Sequence, residues 1–435
     1  MSILYTPAGD TDPIRDMYDG AILQILRRYR PWLIRIFLSK DMAQKENTKQ
    51  VYSKAIKHVA PECKVEFIKT KITEAQKMEK LVPLAEEFLQ LRKEYPAEKI
   101  LLNLSSGTPQ MKTIMSFLAT DFENVQAIQV MSPHNGSNRS NHAAQNDEDI
   151  DSIIANNLDD EPDMPNRCQE PPLSLFQRYS VRHQLISLVN NYEYSAAFTL
   201  YKKYRGMFST ETGRLLEHAD LRSKLQLDDA FAKAGKRISN NREVNMLSEY
   251  FMLMELRQKR GELAEFIVKL TPFLYQLLLF YFQNKTVYQP AKFCERSSAN
   301  KPWKIKRQRL QKMFPQVLAK LDTAYGGNFR DNTELSFTNM LDILKIMPGE
   351  PQELVDLLSV LREVEARHRN PLAHTIVNIT EEVLQNTEPK LGSFAIVQKL
   401  RKAFLLVMQG ENVLKKNVYE ELNYAIIKSM DTFSV

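Results

Sequence analysis

Residues 367–374 read RHRNPLAH, which places two arginines, an asparagine and two histidines around one proline. An imidazole near its ordinary pKa of ~6.5 can take or return a proton at neutral pH. A guanidinium offers a planar charged fork to phosphate and offsets negative charge that develops on it. Together these groups suit metal-free cleavage of RNA. The attacking 2′-hydroxyl belongs to RNA alone, so the substrate class is restricted without any base being read.

Spacing does not single out this pair. The chain has 25 arginines and 7 histidines, and four to six residues also separate Arg178 from His183 and Arg362 from His368. Both Arg367 and Arg369 stand at such a distance from His374. Local chemistry separates the candidates. The residue before a proline avoids the α region, so the helix ELVDLLSVLREVEARH is expected to stop there. Asn370 then caps a helix restarting with Pro371 at its first position. Arg369 and Asn370 would sit at a kink, with His374 one turn inside. Arg178 and His183 lie in RYSVRHQLISLV, which has no kink, and are expected on a solvated helix face. A further run, KPWKIKRQRLQK at Lys301 to Lys312, carries six basic residues, one tryptophan and no acid. It can contact phosphates, although such runs are commonly only a solvated face.

Two other segments could hold a ligand: TPAGDTDPIR, Thr6 to Arg15, and NLSSGTPQMK, Asn103 to Lys112. Both are rich in hydroxyls, amides and turn residues, and both lead towards a helix whose first N–H groups favour anions. Neither contains GxGxxG or a Walker sequence, which leaves a dinucleotide or triphosphate clamp unsupported. Asp10 and Asp12 would repel a triphosphate but can accept hydrogen bonds from adenine amino groups or ribose hydroxyls. The plainer alternative is a pair of capping turns, with Asp12 before Pro13, and Thr108 or Ser106 before the next helix.

The elements that must position these residues follow from periodicity. Short apolar runs at Ile3 to Tyr5, Leu33 to Leu38, Val65 to Ile68, Ile100 to Leu104 and Val125 to Met131 alternate with helical patterns such as Leu81, Leu84, Phe88 and Leu91. That alternation predicts βαβ units and a largely parallel, Rossmann-like sheet. In such a sheet ligands bind beyond the carboxyl ends of strands at the point where strand order reverses. The first and fourth strands are expected to be neighbours there, which brings the two polar segments together.

Ser132 to Pro172 is rich in Asn, Asp, Ser and Pro and reads as a long excursion or linker, partly ordered around Ile150 to Leu158. Residues 131–175 carry a net −7, against +3 before them and +10 after. The acidic segment at 147–163 is therefore a poor nucleic-acid surface, while the basic C-terminal part suits a polyanion. From about Leu173 onward only helical periodicity appears, with breaks at QKRGE near residue 260 and at the glycine pair of TAYGGNFRDNT. Leu270 to Phe282 is strongly apolar but short of the ~20 residues of a membrane span, which predicts a buried core helix.

At 435 residues, 43% of them hydrophobic, the chain should form two or three domains. Its three cysteines, Cys63, Cys168 and Cys294, show no metal spacing and no disulfide framework, and a reducing cytoplasm is expected. No signal peptide is read in the opening MSILYTPAGD.

PAGDTDPIR, NLSSGTPQMK, NRCQE (Asn166 to Glu170) and RNPLAH, in this order along essentially the whole chain, carry a resemblance. The chain resembles the CARF–HEPN ribonucleases that accompany type III-A CRISPR systems. The resemblance implies an α/β N-terminal Rossmann-like (CARF) domain followed by an all-α connector and an all-α HEPN domain. These are expected at residues 1–172, 173–260 and 261–435. It also implies a cytoplasmic homodimer with no membrane and no stable association with the CRISPR effector complex. Paired CARF domains would bind a cyclic oligoadenylate activator, with six adenosines favoured by family similarity. Thr11, Asp12, Asn103, Ser105, Ser106, Gly107, Thr108 and Gln110 fall on the ligand-loop positions. Arg369, Asn370 and His374 fall on the RNxxxH motif, one copy from each protomer, for cleavage of single-stranded RNA without a metal or other cofactor. Some such proteins also degrade the activator slowly. Asp10 departs from relatives, where an amide is common, and the acidic excursion is peculiar to this chain. A contrasting expectation is a non-catalytic, ligand-responsive regulator with a helical nucleic-acid- or protein-binding domain.

Overall fold

The computed structural model describes all residues except 134–148, 162, 299–300, 328, 348, 350, 375–377, 414–416 and 432–435, and at 370–374 it describes the backbone alone. The chain forms two compact units, Met1–Arg182 and His183–Val435.

In the first unit the strands are β1 (Ser2–Pro7), β2 (Ile14–Arg15), β3 (Tyr18–Asp19), β4 (Leu33–Leu38), β5 (Lys64–Lys69), β6 (Lys99–Asn103), β7 (Val125–Val130) and β8 (Cys168–Gln169). Its helices are α1 (Ala21–Tyr29), α2 (Lys40–Lys49), α3 (Val51–Val59), α4 (Val82–Glu94), α5 (Pro109–Asp121) and α6 (Ile150–Ala155). The main sheet has the order β5-β4-β1-β6-β7-β8. All neighbours are parallel except β7 and β8. Strands β2 and β3 make a separate small ladder.

Side chains alternate across the pleat. Leu4, Ile34, Ile36, Leu101 and Ile128 pack with α1, α3 and α6 on one face. Ile3, Tyr5, Leu33, Phe37, Ile100 and Leu102 pack with α4 and α5 on the other. Burial on both faces explains why these strands read as nearly continuous apolar runs.

The expected linker is more folded than its composition suggests. From Asp149 to Gln169 it packs on the first unit: Ile150 is buried, Asp151 pairs with Lys54, and Asp160 pairs with Arg27 and His58. Asn157 donates to Asp19 at 2.7 Å, and Arg167 pairs with the buried Asp159. The acidic side chains meet cations of α1 and α3, so their charge is answered inside the unit.

Helix α7 (Ser174–Asn190) crosses the division between the units. Helices α8 (Tyr194–Lys203), α9 (Thr210–Ser223), α10 (Leu227–Lys233), α11 (Arg242–Lys259) and α12 (Leu263–Lys285) follow. A short helix α13 (Pro290–Phe293) leads into a two-stranded ladder of β9 (Cys294–Glu295) and β10 (Lys304–Ile305). The remaining helices are α14 (Arg307–Met313), α15 (Pro315–Ala324), α16 (Phe337–Ile346), α17 (Gln352–His374), α18 (Glu381–Asn386), α19 (Ser393–Val407) and α20 (Val418–Ser429).

Helix α12 is the axis of this unit. By length and composition it could cross a membrane, but Phe266, Leu270, Phe273, Leu274, Leu277 and Leu278 are buried among α11, α16, α17 and α19. It is the core helix that its apolar run predicts. Residue 260, where a domain boundary is expected, falls between α11 and α12, and Val244, Leu247, Phe251 and Met254 of α11 share the core of α12. Helix α9 packs on α20. The Tyr194 hydroxyl of α8 donates to Asn423 of α20 at 2.6 Å, and Arg222 of α9 makes a bidentate pair with Glu249 of α11 at 2.8 and 2.7 Å.

Candidate functional sites

Strands β1 and β6 lie side by side in register from Ser2↔Lys99 to Tyr5↔Leu102. Their carboxyl ends therefore bring the two polar loops together, as the strand order requires. The approach is closest at two glycines. A Cβ on Gly9 would lie 2.7 Å from the backbone nitrogen of Gly107, and Gly107 itself has φ +79°. A side chain at either position would separate the loops or strain the turn.

Within this crevice the predicted ligand residues divide. Asn103 is fully buried. Its Nδ2 donates to Thr6 Oγ1 at 3.0 Å and Ser106 Oγ at 2.7 Å, and its Oδ1 accepts from the Ser105 N–H at 2.8 Å. Ser106 is fully buried too, and Ser105 Oγ accepts from the Val130 N–H at 2.7 Å, fixing the loop to β7. Asp12 is 1% exposed; its carboxylate accepts from the N–H groups of Gly9 at 3.3 Å and Ile22 at 3.2 Å. Burial pushes its carboxyl pKa up, against the opposing effect of the Ser106 hydrogen bond, those two N–H groups and nearby Lys112. Burial pushes Lys112 down in turn, with Asp12 opposing.

Asp12, Asn103 and Ser106, expected to touch a ligand, are enclosed here and hydrogen-bonded within the loops themselves, which they shape from inside. The expected cap at Asp12 is also displaced. No helix starts at Pro13; the small ladder of β2 and β3 intervenes, and Asp12 instead holds the start of α1 through Ile22. Thr108 does cap α5, accepting from the Met111 N–H at 3.3 Å while donating to the Ala75 carbonyl at 2.8 Å. Thr11, Gly107 and Gln110 are partly exposed at the rim. Gln110 Oε1 is buried with no hydrogen-bond donor, an acceptor left open beside the start of α5. The set can offer N–H groups, hydroxyls and an amide to a polar ligand with anionic groups.

In the second unit RHRNPLAH closes α17. The helix runs unbroken from Gln352 to His374, so the expected stop at Asn370 and restart at Pro371 does not occur. Proline removes one i→i−4 hydrogen bond, but upstream the helix is fixed by Leu354, Leu358, Leu361 and Val364 in the core. Helix α12 likewise continues through Pro272. The side chains of Asn370 and His374 lie outside the described residues.

Arg369 lies on the wall of a cavity of about 1210 Å³ bounded by α11, α12, the β9–β10 connection and α17. Arg242, Tyr250, Tyr275, Arg296 and Trp303 share that wall. Four residues before Arg369, the buried Glu365 accepts from Thr271 Oγ1 of α12 at 2.6 Å and pairs with Arg362, which fixes the face of α17. The rival pair Arg362–His368 is therefore structural. His368 is 4% exposed, and burial, with Arg367 beside it, lowers its pKa. Arg178 is also buried, at 7% exposure, on the α7 face that carries Val181 and Leu185, while His183 is exposed. The solvated face expected for this pair holds for the histidine alone.

The basic run divides as well. Arg307 pairs with Asp322 and Lys306 with Glu295, whereas Lys301 and Trp303 line the cavity. Sequence reading missed Arg242, Tyr250, Tyr275 and Arg296 because only the fold gathers them. Among the described residues, no cluster of three or more His, Cys, Asp or Glu side chains is arranged to hold a metal ion.

Three family models match the chain in succession: the Csm6 CARF domain at residues 64–168, the Csm6 6H domain at 171–223 and the Csm6 HEPN domain at 237–427. A CRISPR system endoribonuclease Csm6 of Mycobacterium tuberculosis (strain ATCC 25618 / H37Rv) is 28% identical over 440 residues, covering 99% of each chain. Another of the same description, from Enterococcus italicus, is 29% identical over 303 residues, covering 66% of this chain and 68% of its own. The solved structure of Enterococcus italicus Csm6 bound to cyclic hexa-2′-fluoro-hexa-dAMP shares the fold, with a TM-score of 0.67 at 22% identity over 99% of this chain and 100% of that one. With CARF, 6H and HEPN segments in one order and a full-length relative beside them, the chain belongs to the Csm6 family of CARF–HEPN proteins.

Proposed function

We propose that this protein is a CRISPR endoribonuclease that cleaves single-stranded RNA in its HEPN unit and is switched on by a cyclic oligoadenylate at the CARF crevice. The observation that carries the reading is Arg369 on a cavity wall rich in cations and aromatic rings, at the end of the helix that closes with RNPLAH. Arg369 holds the scissile phosphate and offsets its developing charge. His374 moves the proton of the 2′-hydroxyl or of the leaving group, and Asn370 orients the strand. No metal enters these steps. The site is composite, one RNPLAH segment from each subunit of a homodimer.

A ring of identical nucleotides presents equivalent halves, which suits two equivalent crevices about a two-fold axis. The Enterococcus italicus relative is bound to a ring of six nucleotides, which supports a six-adenosine activator here. The rim groups Thr11, Gly107, Thr108 and Gln110 contact it. The activator works by binding the active arrangement more tightly than the resting one.

The test is incubation with fluorescent single-stranded RNA in EDTA, with and without rings of three to six adenosines. Cleavage dependent on one ring size is expected. Silence with every ring would leave a ligand-responsive regulator, and cleavage abolished by EDTA alone would overturn the metal-free step.

A further inference from the structure

The connection between β9 and β10 has a feature that the proposed chemistry does not use. The ladder pairs Glu295 with Lys304, so the next residues outward, Arg296 and Trp303, stand opposite one another. The guanidinium carbon of Arg296 lies 4.4 Å from the centre of the Trp303 ring, a close cation–π contact. Both residues line the cavity that Arg369 borders. The Trp303 carbonyl accepts from the Leu335 N–H at 2.7 Å, and the ring packs against the core, so the pair is held in place. The indole Nε1 is buried without a hydrogen-bond acceptor.

We infer that Arg296 and Trp303 form a base-stacking subsite for the single-stranded RNA cleaved beside Arg369. This rests on the nuclease reading and adds a determinant of how the strand is held. Every base has a π face, so a flat guanidinium–indole pair recognises unpaired nucleotides with little regard to sequence. Arg242 and Lys301 on the same wall suit the phosphates between them, and Glu243 and Glu334, also on the wall, limit the positive field. The cavity exceeds the roughly 300–1,000 Å³ of a small-molecule pocket and fits a segment of polymer. A duplex cannot offer a free base face, so the subsite selects single strands.

Two readouts test this in the full-length protein with its activator. In the first, single abasic positions are scanned through a short fluorescent RNA. In the wild type, one abasic position near the cleaved linkage is expected to raise KM about tenfold, with the loss in KM rather than kcat. In Trp303→Ala the same position should cost nothing further, while Trp303→Phe should keep most of the effect. In the second, Trp32→Phe leaves Trp303 as the sole tryptophan of the chain's two. Its fluorescence should be quenched by an uncleavable 2′-deoxy strand and not by duplex. An abasic cost that persists in full in Trp303→Ala, or no quenching, overturns the subsite. Should Trp303→Ala not fold, the abasic scan in Arg296→Gln and the quenching measurement decide by the same criteria. A wild type that cleaves no RNA with any ring defeats the nuclease reading, whereas quenching reports on the subsite by itself, so the two failures separate.

Discussion

Asn103→Ala separates a buried brace from a ligand contact. Three hydrogen bonds are removed. The Ser105 N–H at 2.8 Å loses its acceptor in a partly buried position, which costs about 1 kcal/mol, the low end for an unsatisfied group. The Thr6 and Ser106 hydroxyls lose a donor but keep other partners, the Pro7 carbonyl and the Asp12 carboxylate, so each loss is about 0.5–1.5 kcal/mol. The sum is about 3 kcal/mol for the N-terminal unit. At a urea slope of roughly 1–3 kcal/mol/M, that moves the midpoint down by about 1–3 M. Trp32, which stands just before β4 with its ring edge against Tyr95, reports on this unit in a Trp303→Phe background. Thr11→Ala, at the rim, should change stability by less than about 0.5 kcal/mol while raising the activator concentration needed for cleavage. If Asn103→Ala unfolds at the wild-type urea concentration yet demands more activator, the amide touches ligand and is not a brace.

His374→Ala should abolish RNA cleavage and leave activator binding, followed by thermal shift, unchanged; equal loss of both would make the histidine structural. Glu249→Ala strands the buried Arg222 guanidinium and should destabilise the C-terminal unit by about 3–5 kcal/mol in urea unfolding; a change below about 1 kcal/mol would show that the pair is solvated. His218 and His368 are both buried, and burial holds both imidazoles below their ordinary value. The unfolded chain therefore takes up protons that the folded one refuses. Stability is fully present above pH ~6.5 and falls as pH drops from there towards the folded values, by up to about 1.4 kcal/mol per pH unit for each histidine. Unfolding midpoints compared at pH 7.5 and 5.5 should show this slope, and His218→Gln with His368→Gln should flatten it; an unchanged slope would assign the acid sensitivity to other groups.

What the sequence discloses here is set by how local the cause is. Strands such as LIRIFL and ILLNL are legible because burial on both faces demands unbroken apolar runs, and the neighbouring of β1 and β6 follows from topology rules. The core role of α12 is legible for the same reason. Pro371 misleads, because a local penalty of one backbone hydrogen bond is outweighed by core contacts made three turns earlier at Leu358 and Leu361. Asp12 is ambiguous in another way: its chemistry fits a ligand or a brace equally well, and only the fold shows its hydrogen bonds to Gly9, Ile22 and Ser106. The acidic segment looks like a solvated linker until Lys54, Arg27 and His58, more than ninety positions earlier, are seen against it. The cavity beside Arg369 draws on residues from Arg242 to Arg369, a span no local pattern can connect.

The close approach of Gly9 to Gly107 constrains how such a sensor can be retuned. The loops after β1 and β6 abut through bare backbone, so a displacement of one is transmitted directly to the other. Neither position tolerates drift by single steps, because any added methyl at Gly9 meets main chain that has nowhere to retreat. On the function proposed above, variation in ring preference among descendants of this chain would accumulate at Thr11 and Gln110, where side chains can change size without reopening the seam.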